Sequence, residues 1–98
     1  MTLEVRLRPE AEDDLFEAAV WYEAQQLGLG HRFLDAAAAT ISKISTFPLS
    51  YQITYSSTRR ALLRRFPFCV FYQIDKDEIV VIGVLHGSRH PHAWRRRL

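Results

Sequence analysis

The sequence is poor in the residues that staple or hinge a small protein. Its one cysteine, Cys69, cannot form a disulfide within the chain, which suits a reducing compartment. Four glycines are present and none builds a phosphate loop. Gly28-Leu29-Gly30 lacks both the third glycine and the preceding strand, which makes it a turn between helices. No serine stands in a nucleophile elbow. The longest uninterrupted apolar run, residues 79–85, falls far short of the roughly 20 residues that cross a bilayer, so no membrane association is expected. Residues 1–14 are rich in acids and contain no apolar signal segment, which argues against export and for a cytoplasmic location. Lysine is scarce as well, supplying two of the thirteen bases.

What is present is a globular balance, 48% hydrophobic and 24% charged residues. At 98 residues and 11.4 kDa the chain fits one domain, residues 1–98, because two cores would each be too small to stand. The net charge of +2 conceals a division. Residues 1–50 carry eight acids and four bases, whereas residues 51–98 carry three acids and nine bases. Eleven of the bases are arginine, whose planar fork suits carboxylate and phosphate.

The periodicities give an order of elements. Residues 2–7 alternate as a short strand, with Leu3, Val5 and Leu7 on one face. Pro9 fits the first turn of a helix, and Glu10, Glu12, Asp13 and Asp14 follow where the helix dipole favours acids. Ala11, Leu15, Ala18 and Tyr22 form one stripe of that helix, which runs to about Gln26. A second helix begins near residues 29–31, with Phe33 or Leu34, Ala37, Ala38, Ile41 and Ile44 as its stripe, and ends before Pro48. The alanine run 36–39 permits close approach of the two helices. Strands are expected over residues 51–55, 60–66, 69–74 and 78–86, the last two joined by the polar turn Asp75-Lys76-Asp77-Glu78. Residues 79–85 are apolar on both faces, the mark of a central strand. The fold class is therefore α+β: an N-terminal strand, a helical hairpin packed on one face of a mostly antiparallel sheet, and a short C-terminal element over residues 93–98.

Candidate chemistry is sparse. His86, His90 and His92 lie close together, but no second cluster of ligands accompanies them and Arg89 repels a cation, so neither a metal nor a cofactor is expected. His86, at the end of a central strand, is the best placed as an acid or base. Cys69 reads as a buried small hydrophobe, and Tyr22, Tyr51, Tyr55 and Tyr72 as packing residues. The arginines are the sharper signal. In a strand over residues 60–66, Arg60 and Arg64 would point to one face, and Arg59 and Arg65 to the other. Arg95, Arg96 and Arg97 end the chain beside Trp94. Such surfaces suit a nucleic-acid backbone or an acidic protein segment.

From Arg60 onward the pattern Arg60, Leu62, Arg65-Phe66-Pro67-Phe68, Val70, Tyr72, Ile79-Val80-Val81, Val84, His86-Gly87-Ser88-Arg89, Pro91, Trp94 and Arg97 resembles the RelE/ParE toxin superfamily, on the ParE side. Asp14-Leu15, Trp21-Tyr22-Glu23, Leu29-Gly30, Phe33-Leu34, Ile44 and Phe47-Pro48 agree with its helical hairpin. The resemblance implies the toxin half of a bacterial type II toxin–antitoxin pair, bound and neutralised by a cognate antitoxin in a hetero-oligomer. Two activities occur in the superfamily: RelE-like members cut messenger RNA on the ribosome, and ParE-like members inhibit DNA gyrase. Tyr72 is the last tyrosine, and tryptophan cannot exchange a proton as tyrosine or histidine does, which favours gyrase inhibition without catalytic residues. In the ribonuclease alternative, His86, Arg89 and His90 would carry the chemistry; a non-toxic binding module of the same fold is the other alternative. The antitoxin is expected on Arg59, Arg60, Arg64, Arg65 and Trp21. The target is expected on Arg89, Trp94, Arg95, Arg96 and Arg97.

Overall fold

The computed structural model describes residues 2–88 and 91–98. Arg89 and His90, expected to take part in the site, lie outside the described residues. In chain order the elements are β1 (Glu4–Leu7), α1 (Pro9–Gln25), α2 (Leu29–Thr46), β2 (Ile53–Tyr55), β3 (Thr58–Leu62), β4 (Phe68–Asp75), β5 (Glu78–His86) and α3 (His92–Arg95). The five strands form one sheet in the order β1-β5-β4-β3-β2. β1 runs parallel to β5 and the other pairs are antiparallel. The helical hairpin covers one face of this sheet, and the α+β expectation holds.

Local chemistry accounts for the hairpin. Pro9 begins α1 with Glu10 and Glu12 in its first turn, where the exposed backbone N–H groups favour carboxylates. Gly28 takes the left-handed conformation between the helices, with φ 87°. α2 has no side-chain cap of its own; Glu23 of α1 supplies one, accepting the N–H groups of Gly28 at 2.8 Å and Gly30 at 3.0 Å. A Cβ at Gly30 would lie 2.5 Å from the carbonyl oxygen of Ala19, so the hairpin closes only over glycine there. Ala11, Ala18 and Ala19 of α1 and Phe33, Ala37 and Ile44 of α2 are buried, the small side chains bringing the helices together as their spacing predicts.

The core lies between hairpin and sheet. Val70 and Tyr72 of β4 and Ile79, Val81 and Val84 of β5 face the hairpin residues. Tyr22, Phe33, Phe66 and Phe68 form an aromatic knot whose ring centroids lie 5.0–6.0 Å apart, and it fixes the β3–β4 loop against the helices. The opposite face is lined by Cys69, Phe71 and Leu85 and is roofed by Trp94. β5 is thus covered on both sides, as its unbroken apolar run requires. Its pairing with β4 steps from Phe71↔Gly83 to Tyr72↔Val81, which leaves Ile82 as the extra residue of a bulge. The bulge lets Val81 and Val84, three apart, share one core.

The limits of four strands differ from expectation: β2 starts two residues later than 51, β4 is one residue longer at each end than 69–74, and β3 and β1 are shorter. β3 runs Thr58–Leu62 rather than 60–66, because Arg65 adopts a left-handed conformation (φ 69°) ahead of Pro67 and breaks the alternation. Arg64 and Arg65 therefore leave the sheet instead of lying on its two faces. β1 begins at Glu4, but Leu3 is still fixed: its N–H donates to the Ser45 carbonyl at 3.0 Å, and its carbonyl accepts the Ser45 hydroxyl.

Two outcomes follow for stability. Truncating Val81 or Ile82 to alanine should cost about 2–4 kcal/mol by chemical denaturation, because neither retains any exposure and the surrounding strands cannot collapse into the space. The Gly28 and Gly30 N–H groups hold the Glu23 carboxyl below its ordinary value. Its stabilising contribution is therefore full above the unfolded carboxylate range and is lost as pH falls through the folded value. Glu23→Gln should lower the urea midpoint at neutral pH, and the gap to the parent protein should close on acidification.

Candidate functional site

Two basic surfaces emerge, on different parts of the molecule. The first is a groove of about 780 Å³ between α2 and the β3–β4 loop, with Arg32, Asp35 and Lys43 on one wall and Arg64, Arg65 and Phe66 on the other. Tyr22, Leu29 and Ala36 give it an apolar floor. Arg64 and Arg65 reach it because Phe66 and Phe68 are locked into the aromatic knot. Arg32 and Lys43 were not singled out in the sequence, although 32, 36, 39 and 43 lie on one helical stripe and that spacing carried the signal.

The remaining arginines of β3 lie elsewhere. Arg59 donates through Nη1 to the carbonyls of Tyr51 (2.6 Å) and Leu49 (3.3 Å), holding the segment that follows α2. Arg60 is exposed opposite Phe71, on the face away from the hairpin. Trp21 is 59% exposed and packs its edge on Tyr22, beside a small cleft shared with Asp14, Phe68 and Leu85.

The second surface is the C-terminal element. Trp94 is buried, stacked on Phe71 with centroids 4.8 Å apart, and meets Tyr55 edge-on. The Arg95 guanidinium lies 4.0 Å from the centre of the Tyr55 ring, a cation–π contact. Arg95 and Arg96 are exposed. Arg97 turns inward instead: its two terminal nitrogens grip the Asp14 carboxylate at 2.7 and 3.1 Å, and Nη1 also donates to the Ile82 carbonyl at 3.2 Å. Donating to the Asp14 carboxylate raises the Arg97 pKa further. Asp14 enters the sequence reading only among the acids that open α1 and in the family pattern; its pairing with Arg97 carries no sequence signal.

Proton-transfer groups are few. The Tyr72 hydroxyl donates to the Pro48 carbonyl at 2.6 Å, and burial pushes its pKa up to about 12. It is neither accessible nor poised for acid–base work. His86 is exposed, with its ring edge on Phe68. Its Nδ1 accepts the Ser88 N–H at 3.1 Å and lies 2.8 Å from the Ser88 hydroxyl, which leaves the proton of the neutral ring on Nε2. Burial raises the Cys69 thiol, so it behaves as a packing residue. Among the described residues no three His, Cys, Asp or Glu side chains converge as metal ligands, and no helix is long and apolar enough to cross a membrane.

Comparison with known proteins agrees with this architecture. Solved structures share the fold, two of them toxin–antitoxin systems. The chromosomal ParDE toxin–antitoxin system from P. aeruginosa superposes with a TM-score of 0.64 at 15% identity, over 87% of this chain and 96% of that one. The RelBE2 toxin–antitoxin complex from Mycobacterium tuberculosis gives 0.62 at 24% identity, over 88% and 99%. In sequence, Toxin ParE2 from two strains of Mycobacterium tuberculosis is 31% identical over 97 residues, spanning 95% of this chain and 90% of the relative. The family model described as the ParE toxin of the type II toxin–antitoxin system parDE matches residues 5–91. With nearly the whole chain matched, the protein belongs to the ParE toxin family.

Proposed function

We propose that this toxin inhibits DNA gyrase by contact rather than by catalysis, acts in the cytoplasm, and is neutralised by a cognate antitoxin. The observation that carries the reading is the C-terminal element. Its one large aromatic, Trp94, is spent on anchoring, and what it offers outward is the paired charge of Arg95 and Arg96. The last tyrosine of the chain is buried with its hydroxyl already bonded. An exposed arginine pair on a segment anchored through Trp94 suits an acidic or DNA-bearing surface. Arg89 extends the same basic segment in sequence.

The antitoxin has a separate place. Four bases around an apolar floor suit an amphipathic segment with acidic residues, the groove taking its apolar side chains and Arg32, Lys43, Arg64 and Arg65 its carboxylates. A wrapping partner would also find Arg60 and Trp21 exposed, while Arg59 acts through the segment it holds. Reversing the charge of Arg64 and Arg65 together should weaken binding of the antitoxin encoded beside this chain by about tenfold or more and flatten its salt dependence. Unchanged affinity across a salt titration by calorimetry would move the antitoxin off this groove.

The ribonuclease alternative rests on His86, exposed at the end of β5 beside the Ser88 hydroxyl. Growth arrest on induction separates the two readings, with circular dichroism confirming that each variant folds. In the gyrase reading, truncation before Trp94 abolishes arrest, while alanine at His86, His90 or His92 leaves most of it. In the ribonuclease reading one histidine is indispensable, with a loss on the order of 100-fold in message cleavage.

A further inference from the structure

The tail is held at two points on opposite faces of the sheet. α3 has four residues and cannot sustain itself as a helix. Trp94, stacked on Phe71, fixes where it lies, but a single stacked ring leaves the segment free to swivel about the ring normal. The second point lies three residues on, where the chain has rounded the β5 edge and Arg97 meets Asp14 of α1 in a two-pronged ion pair. Arg8 completes the hold by donating to the Arg97 carbonyl. The Asp14 side chain is only 9% exposed and also accepts the Val84 N–H at 2.9 Å, a donor left open because β1 pairs with β5 only as far as Val81. Gly83 lies beside the pair. A Cβ there would stand 2.6 Å from Arg97 Nη1 and 3.1 Å from Asp14 Oδ2, so glycine is what gives the pair its room.

We propose that Asp14 is a positioning residue for the target-facing arginines: it never meets the target, but through Arg97 it sets the direction in which Arg95 and Arg96 leave the last turn. The proposal rests on the reading that this tail is the contact with gyrase, and it withdraws Arg97 from the contact surface. A bidentate carboxylate–guanidinium pair fixes orientation as well as distance, which a single hydrogen bond does not. The pair closes the β5 edge beside Val84 of the core, so antitoxin affinity is the readout that separates a freed tail from a loosened sheet.

The test compares Asp14→Asn, Gly83→Ala and the double variant Arg95→Ala/Arg96→Ala in the full chain. The first removes the charge but keeps an acceptor for the Val84 N–H; the second keeps both charges and displaces them. Inhibition of gyrase supercoiling and affinity for the antitoxin are measured for each, and trypsin cleavage after Arg95 or Arg96 for Asp14→Asn and Gly83→Ala. Asp14→Asn and Gly83→Ala should each weaken inhibition about tenfold and speed tail cleavage by a similar factor, with antitoxin affinity unchanged. Arg97→Lys should recover part of what Arg97→Gln loses. Full inhibition by both Asp14→Asn and Gly83→Ala, while the double arginine variant is inactive, overturns the positioning role and leaves the gyrase reading standing. An equal fall in antitoxin affinity and inhibition also overturns it, by showing a general loss of structure. Inhibition that survives in the double arginine variant, or a parent protein without effect on gyrase, overturns the reading itself. Should Asp14→Asn fail to fold, Gly83→Ala carries the same comparison.

Discussion

The last strand outruns its parallel neighbour, and much of the molecule is arranged around that mismatch. β5 has nine residues and β1 has four, so β1 covers the β5 edge from Glu78 to Val81 and no further. The remaining edge would present unpaired backbone groups beside a buried core, a costly arrangement and a template for aggregation. Asp14 and Arg97 close it from both ends of the sequence, one taking the Val84 N–H and the other the Ile82 carbonyl. The Ile82 bulge and Gly83 lie at the same point, where the strand must bend and leave space. Edge protection, the tether of the tail and the packing of α1 are thus one device.

The two halves of the charge distribution acquire separate meanings in three dimensions. The acids of the first half lie largely on α1; apart from the half-buried Asp14 they are exposed, and Glu10 and Glu12 stand in the first turn, where the dipole favours them. The bases of the second half divide between the groove wall at Arg64 and Arg65 and the tail at Arg95 and Arg96. These surfaces are built by different elements, the first by the aromatic knot under the hairpin and the second by Trp94 on the opposite face. A toxin that must meet a target and also be silenced by a partner gains from such separation, since each surface can be held rigid by its own packing.

Most of the fold was legible because periodicity reports burial directly. Residues 79–85, apolar on both faces, became the doubly covered centre of the sheet, and Pro9, Gly28 and Pro48 marked the helix limits within one or two residues. Register and strand ends were less legible. The break at Arg65 depends on a left-handed backbone that arginine gives no hint of, and an alternating pattern extended past it assigned Arg64 and Arg65 to sheet faces they do not occupy. The groove was half legible: its loop arginines were evident, while Arg32 and Lys43 were passed over although their helical spacing with residues 36 and 39 places them on one stripe of α2. The Asp14–Arg97 pair was not legible, because its members stand 83 residues apart and only tertiary structure joins them.

The preference for arginine over lysine, the first compositional sign of anion recognition, has a second cause in the fold. Arg97 needs its fork to hold both oxygens of Asp14 and the Ile82 carbonyl together. Arg59 reaches two carbonyls from one nitrogen, and Arg8 secures the Arg97 carbonyl. A lysine ammonium, a compact point charge, could not span the three acceptors that Arg97 holds. Counting arginines therefore overstates the surface available to a partner, because several have their charge committed inside the chain. Arg95 is the intermediate case. Its plane is taken by the Tyr55 ring, yet stacking leaves the N–H edge of a guanidinium free to donate outward. An arginine held in that way is already ordered before it meets an anion, and so gives up less side-chain entropy on binding than a freely rotating lysine would.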